Sequence, residues 1–140
     1  MRIKQGFLLL AVGLVCCIAC TKEVPDSTFT LIGTWGMDSG TITNGDGTTK
    51  RYDNLGGNTY YQYLEYKVDG TLIQTSLPNG TQKYGVYSYN DASRELSYKY
   101  DGDLYYYPAS VNIISAKEMI ITTDYGSSGR ITQHMIKLSF

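Results

Sequence analysis

From residue 29 onward, polar and apolar positions alternate in short runs separated by turn signals. Tyr60, Gln62, Leu64, Tyr66 and Val68 alternate with Tyr61, Tyr63, Glu65 and Lys67, the period of two expected of a strand with one packed and one wet face. Leu96, Tyr98 and Tyr100 alternate in the same way with Glu95, Ser97 and Lys99. Near the C-terminus His134, Ile136, Leu138 and Phe140 share a face opposite Gln133, Met135 and Lys137. Between the runs stand Asn44-Gly45-Asp46-Gly47, Gly56-Gly57, Asp69-Gly70, Pro78-Asn79-Gly80, Asn90-Asp91-Ala92 and Asp101-Gly102-Asp103, all of turn composition. The pattern predicts strands over residues 34–43, 48–52, 59–68, 71–75, 82–89, 94–100, 104–107, 111–114, 118–123 and 131–140. Pro108 is expected to end, bulge or edge the stretch before it, because proline lacks the ladder donor. About eight to ten strands with no amphipathic helix imply a barrel or a sandwich.

The N-terminus follows a different rule. Arg2 and Lys4 precede an apolar run over residues 7–19, the order of an export signal, and that run is shorter than the about 20 residues a membrane helix needs. Immediately after it, Cys17-Ile18-Ala19-Cys20 resembles the lipobox of bacterial lipoproteins, in which a small residue precedes the cysteine that receives diacylglycerol. The resemblance implies a signal peptide over residues 1–19, lipidation of Cys20, a polar tether over 20–28 and a folded domain over 29–140. Cys17 departs from the aliphatic residue usual at its position. It is also the alternative acceptor, though Cys16 before it matches the small-residue position less well than Ala19. The rival reading of the apolar run is a plain transmembrane anchor. Cys16 and Cys17 would leave with the signal, so the mature chain has no disulfide and its one thiol is taken up by lipid. Cys20-Thr21-Lys22-Glu23 is also similar to the start of lipoproteins from Bacteroidetes-type Gram-negative bacteria. That likeness implies an outer-membrane location, with the periplasmic and cell-surface faces both open.

Composition narrows the classes further. The 140 residues are 42% hydrophobic and 18% charged, with 12 Lys plus Arg against 13 Asp plus Glu, which excludes an acidic disordered tail and a basic nucleic-acid surface. Without the signal, roughly 120 residues remain, one domain with one modest core. The 14 Tyr and 15 Gly against 3 Pro suit short aromatic strands joined by tight turns.

Candidate chemistry is sparse. His134 is the single histidine, with no second histidine or mature cysteine to build a zinc site, so a wall residue is the expectation. Most aspartates fall in turns, where they hydrogen-bond their own backbone, and Asp101-Gly102-Asp103 is too short for a calcium loop. Tyr125-Gly126-Ser127-Ser128-Gly129 lacks the strand-to-helix setting of a nucleophile elbow, and Gly45-Asp46-Gly47 lacks the spacing of a dinucleotide fingerprint. No catalytic residue, metal ligand or cofactor is therefore expected, and the chain is read as a non-enzyme.

Leu31-Ile32-Gly33-Thr34-Trp35 resembles the opening strand of lipocalins, and more closely that of the small lipocalin-like lipoproteins of Bacteroidetes. Val111-Asn112-Ile113-Ile114 followed by Lys117-Glu118-Met119-Ile120-Ile121-Thr122 is similar to a late pattern of that family. The resemblance spans residues 29–140 and implies an all-β, eight-stranded antiparallel up-and-down barrel with Trp35 near the closed end. Such a barrel either fills itself with side chains or holds one small ligand. Trp35, Leu64, Tyr66, Leu96, Tyr98, Ile113, Ile136 and Leu138 are expected inside, and Tyr61, Tyr63, Tyr87 and Tyr89 outside. Two functions follow. In the first, a small apolar or amphipathic ligand meets Tyr66, Tyr98, Tyr100 and His134 inside the barrel. In the second, the barrel is solid and its outer tyrosines dock an envelope protein or a glycan. Tyrosine is equally an ordinary strand and core residue.

Overall fold

The computed structural model describes residues 29–53 and 60–139. The expected export segment, Cys20, the expected tether, the expected turn at Gly56-Gly57 and Phe140 lie outside the described residues.

Alternation and turn chemistry produce nine strands: β1 (Gly33–Asn44), β2 (Thr49–Tyr52), β3 (Gln62–Tyr66), β4 (Thr71–Ser76), β5 (Thr81–Asn90), β6 (Glu95–Tyr100), β7 (Tyr107–Ser115), β8 (Glu118–Asp124) and β9 (Gly129–Ser139). A single 3₁₀ turn, Gly126–Ser128, joins the last two. Every pairing is antiparallel. Strands β3 to β9 follow one another in order around the wall, and β1 closes the ring by pairing with β3 on one edge and β9 on the other. Strand β1 is long enough to serve two neighbours on its β3 edge. Its first residues, Gly33–Gly36, pair with β3, and Gly40–Thr43 pair with β2. The closed wall is thus eight strands, with β2 extending the position of β3.

The turns have local causes. In the β3–β4 hairpin the Asp69 carboxylate accepts the Thr71 backbone N–H at 2.9 Å, and Gly70 takes φ +85°, a conformation glycine adopts without steric cost. The connection over 101–106, where a strand was expected at 104–107, is a loop. Only Tyr107 joins β7, and Pro108 lies inside β7 opposite Ser97, one residue before pairing with β8 begins at Ala109. At that position the missing N–H leaves no ladder bond unmade.

One end of the barrel is plugged. Trp35 is fully buried there, its indole N–H donating to the Leu31 carbonyl at 2.8 Å and its ring 5.9 Å from that of Phe29. The β9 phase is the reverse of the expectation: Met135 and Lys137 point inward, while Ile136 and Leu138 face out, Leu138 being 42% exposed. Lys137 suits the inside because its apolar stem lines the plug while Nζ reaches the Thr30 carbonyl at 2.8 Å, 5.1 Å from the Trp35 ring centre. Burial pushes its pKa down. Strand β5 also corrects the reading. Tyr87 and Tyr89 stand opposite Tyr98 and Leu96, pack against the core and face inward, leaving Val86 exposed outside and Tyr84 half-exposed at the edge of the cavity. Tyr63 stays on the outer face against Tyr60, whereas Tyr61 is held by an edge contact with Tyr52 and donates its hydroxyl to the Asp53 carbonyl.

Candidate functional site

The end opposite the Trp35 plug opens into the lumen, forming a cavity of about 630 Å³. Leu64, Tyr66, Leu72 and Ile121, projecting from β3, β4 and β8, make its apolar floor. Above them, inward-facing tyrosines cross the lumen edge to face. The Tyr98 ring lies 5.7 Å from both Tyr100 and Tyr107, and Tyr107 lies 5.1 Å from Tyr125, with every pair tilted. At the floor, Tyr66 meets Tyr87 edge-on at 4.9 Å.

The hydroxyls are organised. Tyr98 Oη lies 3.1 Å from the buried Thr123 Oγ1 and 3.2 Å from Tyr125 Oη, and Tyr100 donates to Gln74 Oε1. Burial raises the pKa of Tyr66, Tyr100 and Tyr125 above the ordinary phenol value, and the hydrogen bond with Tyr98 adds to the effect at Tyr125. These phenols are neutral at physiological pH, so they act as hydrogen-bonding groups and not as bases.

A polar band rings the mouth. Gln62, Gln74 and Gln133 project from β3, β4 and β9 in phase with the core residues Leu64, Leu72 and Met135, while Gln82 and Lys83 of β5 and Asp101 and Asp103 of the β6–β7 loop complete the rim. Asp103 accepts the Tyr100 backbone N–H at 3.1 Å, which ties the loop to the wall.

The lumen therefore brings together three of the expected ligand residues, Tyr66, Tyr98 and Tyr100. His134 is not among them. It lies on the outer face, adjacent in β9 to the inward Met135. Its Nδ1 is 3.2 Å from Asp38 Oδ2 and its Nε2 is 2.6 Å from Glu118 Oε1. A register shift between Met37 and Ser39 accompanies Asp38 at this contact. The carboxylates engage opposite ring nitrogens, and among the described residues no group of three or more His, Cys, Asp or Glu side chains is placed to hold a metal ion. Sequence reasoning missed Tyr107, Tyr125 and the glutamines. The signal for the glutamines was present, since a polar residue recurring in the inward phase of a strand marks a wet lumen.

A second, shallower depression of about 730 Å³ lies across the outer face, lined by Ser88, Ser97, Pro108, Ser110 and Thr122 among others. Though larger, it has no aromatic ring in its lining.

No protein-family model matches the sequence, and no curated protein does. Among solved structures, the chain is similar to a lipocalin-like protein from Bacteroides uniformis. The TM-score is 0.50 at 16% identity, covering 77% of this chain and 98% of the other. The fold is lipocalin-like. A lipocalin-like barrel of this kind closes around its lumen, with the ring-lined cavity at the open end as its candidate binding site.

Proposed function

We propose that the protein is a non-enzymatic binding barrel that takes one small amphipathic molecule through its open end into the tyrosine-lined lumen. The observation that carries the reading is the cavity itself. About 630 Å³ falls within the roughly 300–1,000 Å³ of small-molecule sites, whereas a solid interaction module would have filled that space with side chains. The apolar floor and polar rim support a ligand that offers both an apolar face and hydrogen-bonding groups. Tyr66, Tyr98 and Tyr100 are its proposed contacts inside.

The same proposal has the mature chain begin at a diacylglycerylated Cys20 after removal of residues 1–19, with residues 20–28 tethering the barrel to the outer membrane, on its periplasmic or cell-surface face. Its support is the order of charged, apolar and small residues before Cys20. The likeness of the opening motif to small lipocalin-like lipoproteins of Bacteroidetes supports the same assignment.

Leu104 and Tyr105, 85% and 77% exposed on the β6–β7 loop, favour a second reading in which this tip docks an envelope protein or a glycan. Native mass spectrometry of protein purified from its host without refolding tests the first reading. A co-purifying small molecule, lost when Tyr66 is replaced by alanine, is the expected result. Protein that carries no ligand and takes up none from a host extract would overturn it in favour of the second.

A further inference from the structure

We infer that the lumen is built for a neutral, hydroxyl-rich ring compound, a monosaccharide or disaccharide, and not for a fatty acid or another largely apolar molecule. The inference rests on the reading of the lumen as a binding site and specifies its ligand class. Three features of the cavity carry it.

The first is unsatisfied amide capacity. Tyr100 occupies the Gln74 carbonyl oxygen, leaving the amide NH₂ to the lumen. Gln133 Nε2 finds only the Met37 thioether at 3.5 Å, a weak acceptor, and the side chain of Gln62 makes no hydrogen bond with a described residue. In the empty barrel water serves these groups. An alkyl chain entering the lumen would displace that water and return nothing, whereas ring hydroxyls both donate and accept.

The second is charge. Asp101 and Asp103 at the mouth outnumber the single cation, Lys83, and no arginine or histidine lines the lumen to pair with a carboxylate or phosphate head. An anionic amphiphile meets a net negative rim, while a neutral ligand does not.

The third is ring geometry. The tyrosine pairs around Tyr98 and Tyr107 are inclined to each other at 49° to 68°, so none of them forms a parallel slot. A flat heterocycle stacks best between parallel faces. A puckered sugar ring instead lays its weakly positive C–H face on one ring at a time, against the negative face of the aromatic system.

Titration of nitrogen-labelled full chain with millimolar galactose, N-acetylglucosamine, maltose and cellobiose, and in parallel with laurate and adenosine, tests the inference. The glutamine side-chain amides report directly in the nitrogen–proton spectrum. At least one saccharide is expected to shift the Gln62, Gln74 and Gln133 NH₂ resonances. Its affinity should fall about tenfold or more in Gln74→Leu and in Gln133→Leu, while laurate binds those variants better than the wild type. The wild-type titration stands alone if a leucine variant does not fold. Saturable binding of laurate or adenosine in the lumen without any saccharide response would overturn the ligand class and leave the binding barrel intact. A spectrum in which no lumen resonance responds to any of the six probes would overturn both.

Discussion

Replacing Tyr98 by phenylalanine removes one oxygen from the middle of the lumen wall, and its consequence can be worked from two distances. Tyr98 Oη lies 3.1 Å from Thr123 Oγ1 and 3.2 Å from Tyr125 Oη. Thr123 is 1% exposed, so without Tyr98 its hydroxyl has no access to water, and a buried unsatisfied hydroxyl costs about 1–3 kcal/mol. Tyr125 is less buried and turns its hydroxyl toward the cavity mouth at little cost. Tyr98→Phe should therefore destabilise the fold by about 2 kcal/mol. Thr123→Val should cost less, about 1 kcal/mol, because Tyr98 retains Tyr125 as a partner. The double variant, in which both polar groups are gone, should sit close to the milder single one, giving a coupling of roughly 1–2 kcal/mol. Urea unfolding followed by circular dichroism reads this. With a slope of about 1–3 kcal/mol per molar, a 2 kcal/mol loss moves the midpoint by about 1 M. Simple addition of the two single effects in the double variant, or a loss below about 0.5 kcal/mol for Tyr98→Phe, would refute the claim that these hydroxyls form one buried unit.

Three other outcomes are expected. A Cβ on Gly36 would meet the Tyr60 ring at 2.5 Å on the outer face, so Gly36→Ala should cost about 1–3 kcal/mol in thermal or urea unfolding. In a Tyr60→Ala background the same change should be neutral or stabilising by up to about 1 kcal/mol, and an equal loss in both backgrounds would discard the contact. Burial raises the folded-state pKa of Tyr66, so the stability it contributes is complete below the unfolded value of about 10 and is lost at about 1.4 kcal/mol per pH unit above it. Lys137, whose pKa is lowered by desolvation, works the other way: its contribution grows as pH rises from the folded value toward the unfolded one. Tyrosinate absorbance should accordingly show a late-titrating group that appears only on alkaline unfolding, and one common titration of all 14 tyrosines in the folded protein would contradict it. Cys20→Ala should abolish acyl mass and membrane sedimentation, and globomycin should block processing of the wild type, without changing the unfolding curve. If wild type and variant sediment alike and neither carries an acyl mass, the lipobox assignment is wrong.

Strand positions were legible in the sequence because turns announce themselves chemically. Asp69-Gly70 marks its hairpin through a carboxylate that captures Thr71 N–H and a glycine at positive φ, and the predicted strands on either side lie within a few residues of β3 and β4. Which face of a strand points inward was harder to read. In β9 the more hydrophobic phase, Ile136 and Leu138, faces out, because the inside needs Lys137 to satisfy the Thr30 carbonyl and Gln133 to line a wet lumen. Hydropathy assumes a dry interior, and a barrel with an open end is only half dry. The run Tyr105-Tyr106-Tyr107 read as strand on composition, yet residues 101–106 span the gap between β6 and β7 as a loop, tied down by Asp103. Of the site, Tyr66, Tyr98 and Tyr100 were legible by alternation. His134 was misassigned with the β9 phase, and Tyr125 had no strand pattern to reveal it.

The pairing of β1 with β9 has a consequence for how the chain matures. Trp35 finds Lys137 and Thr43 finds Arg130, partners about a hundred residues later in the sequence, and β9 is the last strand described. Any shorter piece of the chain leaves β1 with an open edge and the Trp35 plug without its Met135 and Lys137 walls. Ring closure must therefore wait for the final strand, and contacts of such long range form slowly. The topology that seals the finished barrel thus leaves every stretch of chain that lacks β1 or β9 unsealed.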